Sequence, residues 1–295
     1  MGRDKTERVR PGFFTRILLL CLGFLIAAIK LPGPAAGEEI DQGQLPRILA
    51  EVAAYCRKFV DASLYYVCLE EVTETIYSPY RMMPRAYDSS YKSRKNHCLY
   101  DYQLIQKERD VKEQRILLEE NGVKMNVKDA PLQVQRFRYR HIILGPLLMG
   151  EYWQEFHDYR IIGKEKFEKE PCFVVEAVPK SGVKGDHLFG KFWVSERDCR
   201  VWRMEWNQES IDNFELIEQT AKALNARPQV KLILEMGVEE KGIRFPSRYV
   251  QREEYVNKRG ALLIRSEATV NYKDYKFFVV DTEVEVKRRF GSSDS

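Results

Sequence analysis

The chain has 295 residues, 44% of them apolar and 31% charged, with 48 Lys and Arg against 44 Asp and Glu. This balance excludes a disordered chain and a polytopic membrane protein, and the length is ample for a buried core. Six of the basic and two of the acidic residues fall in the first 37, so the remainder carries 42 of each and has no net charge to draw it to nucleic acid.

Arg3, Lys5, Arg8, Arg10 and Arg16 precede an apolar run from Ile17 to Ile29, and Ala35-Ala36-Gly37 offers small residues for cleavage before Glu38. That is the layout of an export signal. Residues 1–37 are therefore read as a signal peptide, and 38–295 as a single periplasmic or otherwise extracytoplasmic domain. The run is shorter than the roughly 20 apolar residues of a spanning helix. An anchor formed by an uncleaved N-terminal helix is the alternative, since the basic region is long and Lys30 interrupts the exit.

Five cysteines follow the leader, at 56, 68, 98, 172 and 199, without the CxxC spacing of a metal site, so no metal is expected. In an oxidising compartment a Cys56–Cys68 disulfide is the expected pairing, because a helix ending near Val60 can fold back on the next strand. The alternative is that all five are small buried apolar residues.

From Leu45 to Val60 the apolar residues recur at the spacing of one helical stripe, with Pro46 suited to the first turn. Leu64–Tyr77 has the Tyr, Val, Thr and Ile density of a strand. A polar connection, 78–95, precedes alternating Cys98, Tyr100, Tyr102 and Leu104 and a further strand over 111–119, and Asn121-Gly122 is a strong hairpin signal. Ile142–Trp153 is the most apolar stretch after the leader, broken by Gly145-Pro146. It is either a plug over a cavity or a buried connector. Strands follow over 156–167 and 172–179, and a helix over 211–224 with Ile211, Phe214, Leu216, Ile217, Ala221 and Leu224 near one side.

Leu188–Trp206 reads as a hairpin. With Arg197, Asp198 and Cys199 as its loop, Gly190, Phe192 and Val194 oppose Trp206, Met204 and Trp202, while Lys191 meets Glu205 and Trp193 meets Arg203 on the other face. The last strands keep the same parity, with Val230, Leu232, Leu234, Met236 and Val238, then Leu262, Ile264, Ala268 and Val270, then Phe278, Val280, Val284 and Val286 at even positions. About ten strands with one dry face each predict a mainly β (α+β) fold: a strongly curved antiparallel sheet, or barrel.

Catalytic signatures are missing from the sequence: no GxSxG, HExxH, P-loop or GxGxxG pattern occurs. Glu70-Glu71 and Glu253-Glu254 sit on strands, where neighbours point to opposite faces and cannot share acid/base work. No catalytic residue and no cofactor is expected.

The leader, the N-terminal helix, Gly190-Lys191-Phe192-Trp193-Val194 and the run Asp198 to Glu205, followed by a helix and the closing strands, resemble the bacterial outer-membrane lipoprotein-sorting proteins of the LolA-like superfamily. That resemblance implies an incomplete barrel over 38–295 whose apolar concave face is covered by the helices at 45–60 and 211–224 with the 142–153 segment. It implies a non-enzymatic carrier or binder of the acyl chain of a lipid or lipoprotein, in contact with envelope membrane proteins and with no nucleic acid. With even positions inward, Phe192, Val194, Trp202, Met204, Trp206, Leu234, Met236 and Phe278 would line the ligand cavity. A sensor or scaffold with a filled barrel is the competing expectation, and an envelope lipid hydrolase a third.

Overall fold

Pro46 begins the helix as its sequence position suggests, since the first turn needs no N–H from it. Helix α1, Leu45–Ser63, buries Ile48, Val52, Tyr55, Cys56 and Phe59 along one stripe and ends where the Ser63 hydroxyl donates to the Val60 carbonyl. The computed structural model describes residues 41–77, 93–107, 110–134, 142–183, 189–211 and 214–278. Residues 1–40, 78–92 of the polar connection and the valines after Phe278 lie outside those residues.

The strands are β1 Tyr66–Ile76, β2 Arg94–Lys107, β3 Asp110–Glu120, β4 Val123–Lys128, β5 His157–Phe167, β6 Glu170–Pro179, β7 Gly190–Ser195, β8 Val201–Trp206, β9 Ala226–Glu235, β10 Val238–Glu240, β11 Ile243–Phe245, β12 Arg248–Asn257 and β13 Leu262–Phe277. Eleven of them form one open antiparallel sheet in the order β4-β3-β2-β1-β13-β12-β9-β8-β7-β6-β5, and β10 pairs with β11 apart from it. The result is a curved, incomplete barrel. Asn121 and Gly122 both take positive φ at the β3–β4 turn, as a tight hairpin requires.

This order has a topological consequence. The chain leaves the sheet at one edge, β4, and re-enters at the opposite edge, β5, so the stretch between them must cross a whole face. The contacts show that it crosses the inner one. Tyr100, an inward residue of β2, receives the Gln133 amide and donates to the Pro131 carbonyl, while Gly145 lies against Trp206 and Met204 of β8. The short helix α2, Glu151–Gln154, then leads into β5.

Two β-bulges change which side chains face inward, and each corrects an expectation from simple alternation. In the β7–β8 hairpin, Trp193 opposes Arg203 but Val194 opposes Val201, so Trp202 is the extra residue. Its ring turns outward, packing on Phe167, with the Arg244 guanidinium 3.3 Å from its centroid. Val201 takes the core position instead. In β13 the pairing jumps from Val67–Lys276 to Leu69–Lys273, at Asp274 with φ of 55°. Beyond that point Tyr275 and Phe277 pack against the core, and Phe278 is 52% exposed rather than cavity-lining.

Helix α3, Phe214–Ala223, buries Ile217 and Ala221 against β9, while Leu216 lies one helical step off the stripe and is exposed. Phe245 of β11 gathers Phe59 of α1, Tyr66 of β1, and Tyr275 and Phe277 of β13, with ring centroids 5.0–6.0 Å apart. Such ring pairs add about 0.5–1.5 kcal/mol each beyond their burial. They tie the helix to the middle of the sheet.

A buried ion pair holds β1 to the neighbouring strands. Glu70 is fully buried; Arg115 donates to it from Nε at 2.6 Å and a second nitrogen at 3.1 Å, and Tyr272 donates at 3.2 Å. Glu113 accepts from Arg115 at 3.2 Å and from Tyr102 at 3.1 Å. Burial pushes the Glu70 carboxyl above the usual carboxylate range, and the charge and hydrogen bonds of Arg115 oppose that shift.

The five described cysteines are free and buried, which corrects the Cys56–Cys68 pairing. Cys56 faces the crossing segment, its thiol donating to the Pro146 carbonyl at 3.1 Å, whereas Cys68 lies under the β13 bulge near Tyr275. Burial pushes the Cys56 thiol up to about 12 and raises the Cys68 thiol further. Native protein treated with iodoacetamide should therefore leave all five thiols unlabelled, and denaturant without reductant should expose all five. A mass shift that appears only after reduction would contradict this.

Arg115→Met strands two carboxylates in the interior and should cost about 3–5 kcal/mol in denaturant unfolding. Adding Glu70→Leu should recover part of that loss, a coupling that a double-mutant cycle measures.

Candidate ligand-binding face

Where the inner face runs over β7, β8 and β9 it is wholly apolar. Phe192 opposes Met204, Met204 opposes Leu234, and Gly190 opposes Trp206, with Val194 and Met236 completing the patch. Each of these large side chains is at most 2% exposed. Phe192 and Trp206 meet edge to face at 5.6 Å. The structure thus brings together the predicted residues Phe192, Val194, Met204, Trp206, Leu234 and Met236 and leaves out Trp202 and Phe278.

What lies against this patch is the crossing segment, and α1 packs on that segment. Over Ile142–Met149 the segment is a 3-10 helix with Pro146 inside it. Pro146 supplies no N–H to a helical ladder, so its ring interrupts the backbone bonding of the segment. Gly145 is required by proximity: a Cβ there would stand 2.8 Å from the Trp206 ring and 3.0 Å from the Met204 sulfur. The segment rests on the patch as a plug of eight residues.

Side chains from the surrounding frame hold the plug through its carbonyls. Cys56 donates to Pro146, Tyr159 to Leu148 at 2.6 Å, and the Gln154 amide to Met149 at 2.8 Å and to Leu49 of α1 at 2.9 Å. Beneath the plug, the Trp206 indole N–H is buried and has no acceptor among the described residues. Leaving such a donor unmet costs about 1–3 kcal/mol.

Toward β1, β13 and β12 the same face turns polar. Glu70, Glu74, Gln251 and Glu253 are each at most 3% exposed. Tyr249 donates to Gln251 at 3.0 Å, and Glu253 accepts from Tyr255 and Ser266. The inner face therefore has an apolar end under the plug and a hydrogen-bonding end beside it. Alternation signals this in the sequence, since 70 and 74 share the parity of buried Tyr66, Cys68 and Val72; the Arg115 partner, on β3 beyond β2, carries no comparable signal.

The adjacent glutamates diverge. Glu70 is inside, while Glu71 faces out to Lys273 at 3.2 Å and His97 at 3.3 Å. Glu253 is inside, while Glu254 lies with Arg252 at 2.7 Å and Lys231 at 3.7 Å. Among the described residues no three His, Cys, Asp or Glu side chains gather as a metal site would need, and no helix is long and apolar enough to cross a membrane.

The outer face carries a smaller apolar cluster of Cys172, Val174 and Trp193, flanked by Ile162, Phe167 and Trp202. The Trp193 indole donates to Glu165 at 2.8 Å, and the Arg203 guanidinium stacks 4.8 Å from its ring. Beside it an open groove of about 340 Å³ lies over Gly163. Its lining mixes both charges and contains no nucleophile beside a base.

No family model matches the sequence, and no curated protein matches it. Among solved structures the chain is similar to a DUF1329 family protein from Desulfovibrio piger, at 10% identity and a TM-score of 0.37, over 79% of this chain and 94% of that one. It is similar to a LolA superfamily protein from Nitrosomonas europaea, at 11% identity and a TM-score of 0.34, over 80% and 94% of the two chains. It is also similar to a putative outer membrane lipoprotein-sorting protein domain from Vibrio parahaemolyticus, at 11% identity and a TM-score of 0.37, over 80% and 93%. These are distant likenesses between chains of comparable extent.

Proposed function

We propose that the chain is an extracytoplasmic, non-enzymatic binder of the acyl chain of a lipid or lipidated protein, held on the inner face over Phe192, Val194, Met204, Trp206, Leu234 and Met236. The observation that carries this reading is the plug. Over Trp206 and Met204 the apolar patch meets eight residues of 3-10 helix that Cys56 and Tyr159 pin through backbone carbonyls. A segment of that kind occupies the room an acyl chain would take.

Binding would be exchange of one apolar filler for another. Each methylene buried gains about 0.8 kcal/mol, and the plug gives back part of its own burial as it lifts, so the net affinity is the difference of the two. The polar end of the face, with Glu70 and Arg115 already paired, would border the head group.

A second reading rests on the same burial. In it the half-barrel is permanently filled by its own segment, and a partner reads the outer surface, as a sensor or scaffold would.

Gly145→Val separates the two. Its side chain must collide with Trp206 and Met204, so the seated plug should lose about 1–3 kcal/mol of stability in urea unfolding. If the plug competes with ligand, titration with a fluorescent fatty acid should then show at least fivefold tighter binding than wild type. The same loss of stability with unchanged or absent binding would overturn the carrier reading in favour of the filled scaffold.

A further inference from the structure

The two ends of α1 are held unequally. Over residues 45–51 only Ile48 is buried, whereas Val52, Ala53, Tyr55, Cys56 and Phe59 follow in the next two turns. The Tyr55 hydroxyl donates to the Arg244 carbonyl at 3.2 Å and accepts the Arg244 N–H at 3.1 Å, and Phe59 packs on Phe245. The first turn has no such anchor. Gln44 makes no capping hydrogen bond with its side chain and no acidic residue lies in that turn, so it lacks the two usual stabilisers of a helix start.

What fastens this end lies one step earlier in the chain. Gln42, in the 3-10 turn Gln42–Gln44 that leads into α1, reaches the edge strand β5: its amide N–H donates to the Ile161 carbonyl at 2.8 Å and its oxygen accepts the Ile161 N–H at 3.0 Å. These are the two bonds a neighbouring strand would make, supplied by a side chain. The β5–β6 register also shifts between Ile161 and Gly163, so the bulge and the glutamine together close this edge to a further strand. Asp41 steadies the turn by accepting the Gly43 N–H at 2.8 Å.

From Leu49 onward the helix is held again, since the Leu49 carbonyl accepts from Gln154 at 2.9 Å. Against the first turns of α1 sits the β7–β8 turn. Its buried Cys199 lies beside Arg47 and Glu51; burial pushes the thiol up and the Arg47 charge draws it down.

We propose that Gln42 is a strap: it fastens residues 42–48 to the β5 edge, and when its two bonds break those residues detach as a local unit that hinges at Leu49 and uncovers Cys199. The sheet and the rest of α1 stay in place. The inference is independent of the ligand reading.

The protein's own cysteines serve as probes. Purified native protein is held in iodoacetamide for hours, and the labelling rates of Cys199, Cys56 and Cys172 are read by peptide mass spectrometry, each relative to wild type. Gln42→Ala should speed Cys199 by about fivefold or more, and should change Cys56, beyond the hinge, and Cys172, on the outer face, by less than about twofold. Gln42→Glu, of equal length but with no N–H for the Ile161 carbonyl, should speed Cys199 in the same way. Unchanged labelling of Cys199 overturns the proposal. Acceleration as large at Cys56 or Cys172 as at Cys199 overturns it too, because a general loss of stability exposes every thiol alike. A Gln42→Glu variant with wild-type rates would assign the holding to packing and not to the paired bonds, and would also overturn it.

Discussion

The structure depends on one topological constraint. The first four strands build the sheet outward from β1 in one direction, and the fifth begins at the far edge. The connection between them must traverse the inner face, and its composition suits that path: it is apolar where it meets β8 and β9, and its backbone hydrogen bonds to Tyr100 where it passes β2. Burying irregular backbone is tolerable only when its polar groups find partners. Cys56, Tyr159 and Gln154 are those partners over the plug, so what looks in sequence like an awkward apolar linker is the element that closes the half-barrel.

The second organising feature is the division of the inner face. Its apolar end is stabilised by burial alone, which is non-directional and tolerates exchange of one filler for another. Its polar end is held by hydrogen bonds and by the Glu70–Arg115 pair, which are directional and costly to break. The sheet can therefore remain rigid around β1, β2, β3 and β13 while its contents change over β7, β8 and β9. Phe245, with its ring contacts to α1, β1 and β13, anchors the helix on the rigid side of that division.

Much of this was legible in the sequence. Helical spacing located α1, Asn121-Gly122 located the β3–β4 turn, and strand parity identified the inward rows on β2, β7, β8 and β9. Parity failed at the bulges, because an inserted residue leaves local composition unchanged while inverting everything after it. Val201 beside Trp202 offers two adjacent apolar candidates for one inward position, and only the turn geometry, with the Ser195 amide bonded to the Arg200 carbonyl, decides between them. Lys273-Asp274 breaks the alternation visibly, and the apolar row resumes on odd numbers at Tyr275 and Phe277. The Cys56–Cys68 pairing failed for a related reason: spacing brings the helix back over the sheet but does not set which face of it the thiol occupies, and Cys56 is turned to Pro146.

If the inner face serves exchange of the plug for an acyl chain, the plug must be the element that moves while the sheet beneath it does not. Hydrogen–deuterium exchange with and without a saturating long-chain fatty acid measures this most directly. The account predicts that amides of residues 142–156 lose protection on binding while those of β7, β8 and β9 keep theirs or gain. Unchanged exchange across 142–156 in the presence of bound fatty acid would contradict it.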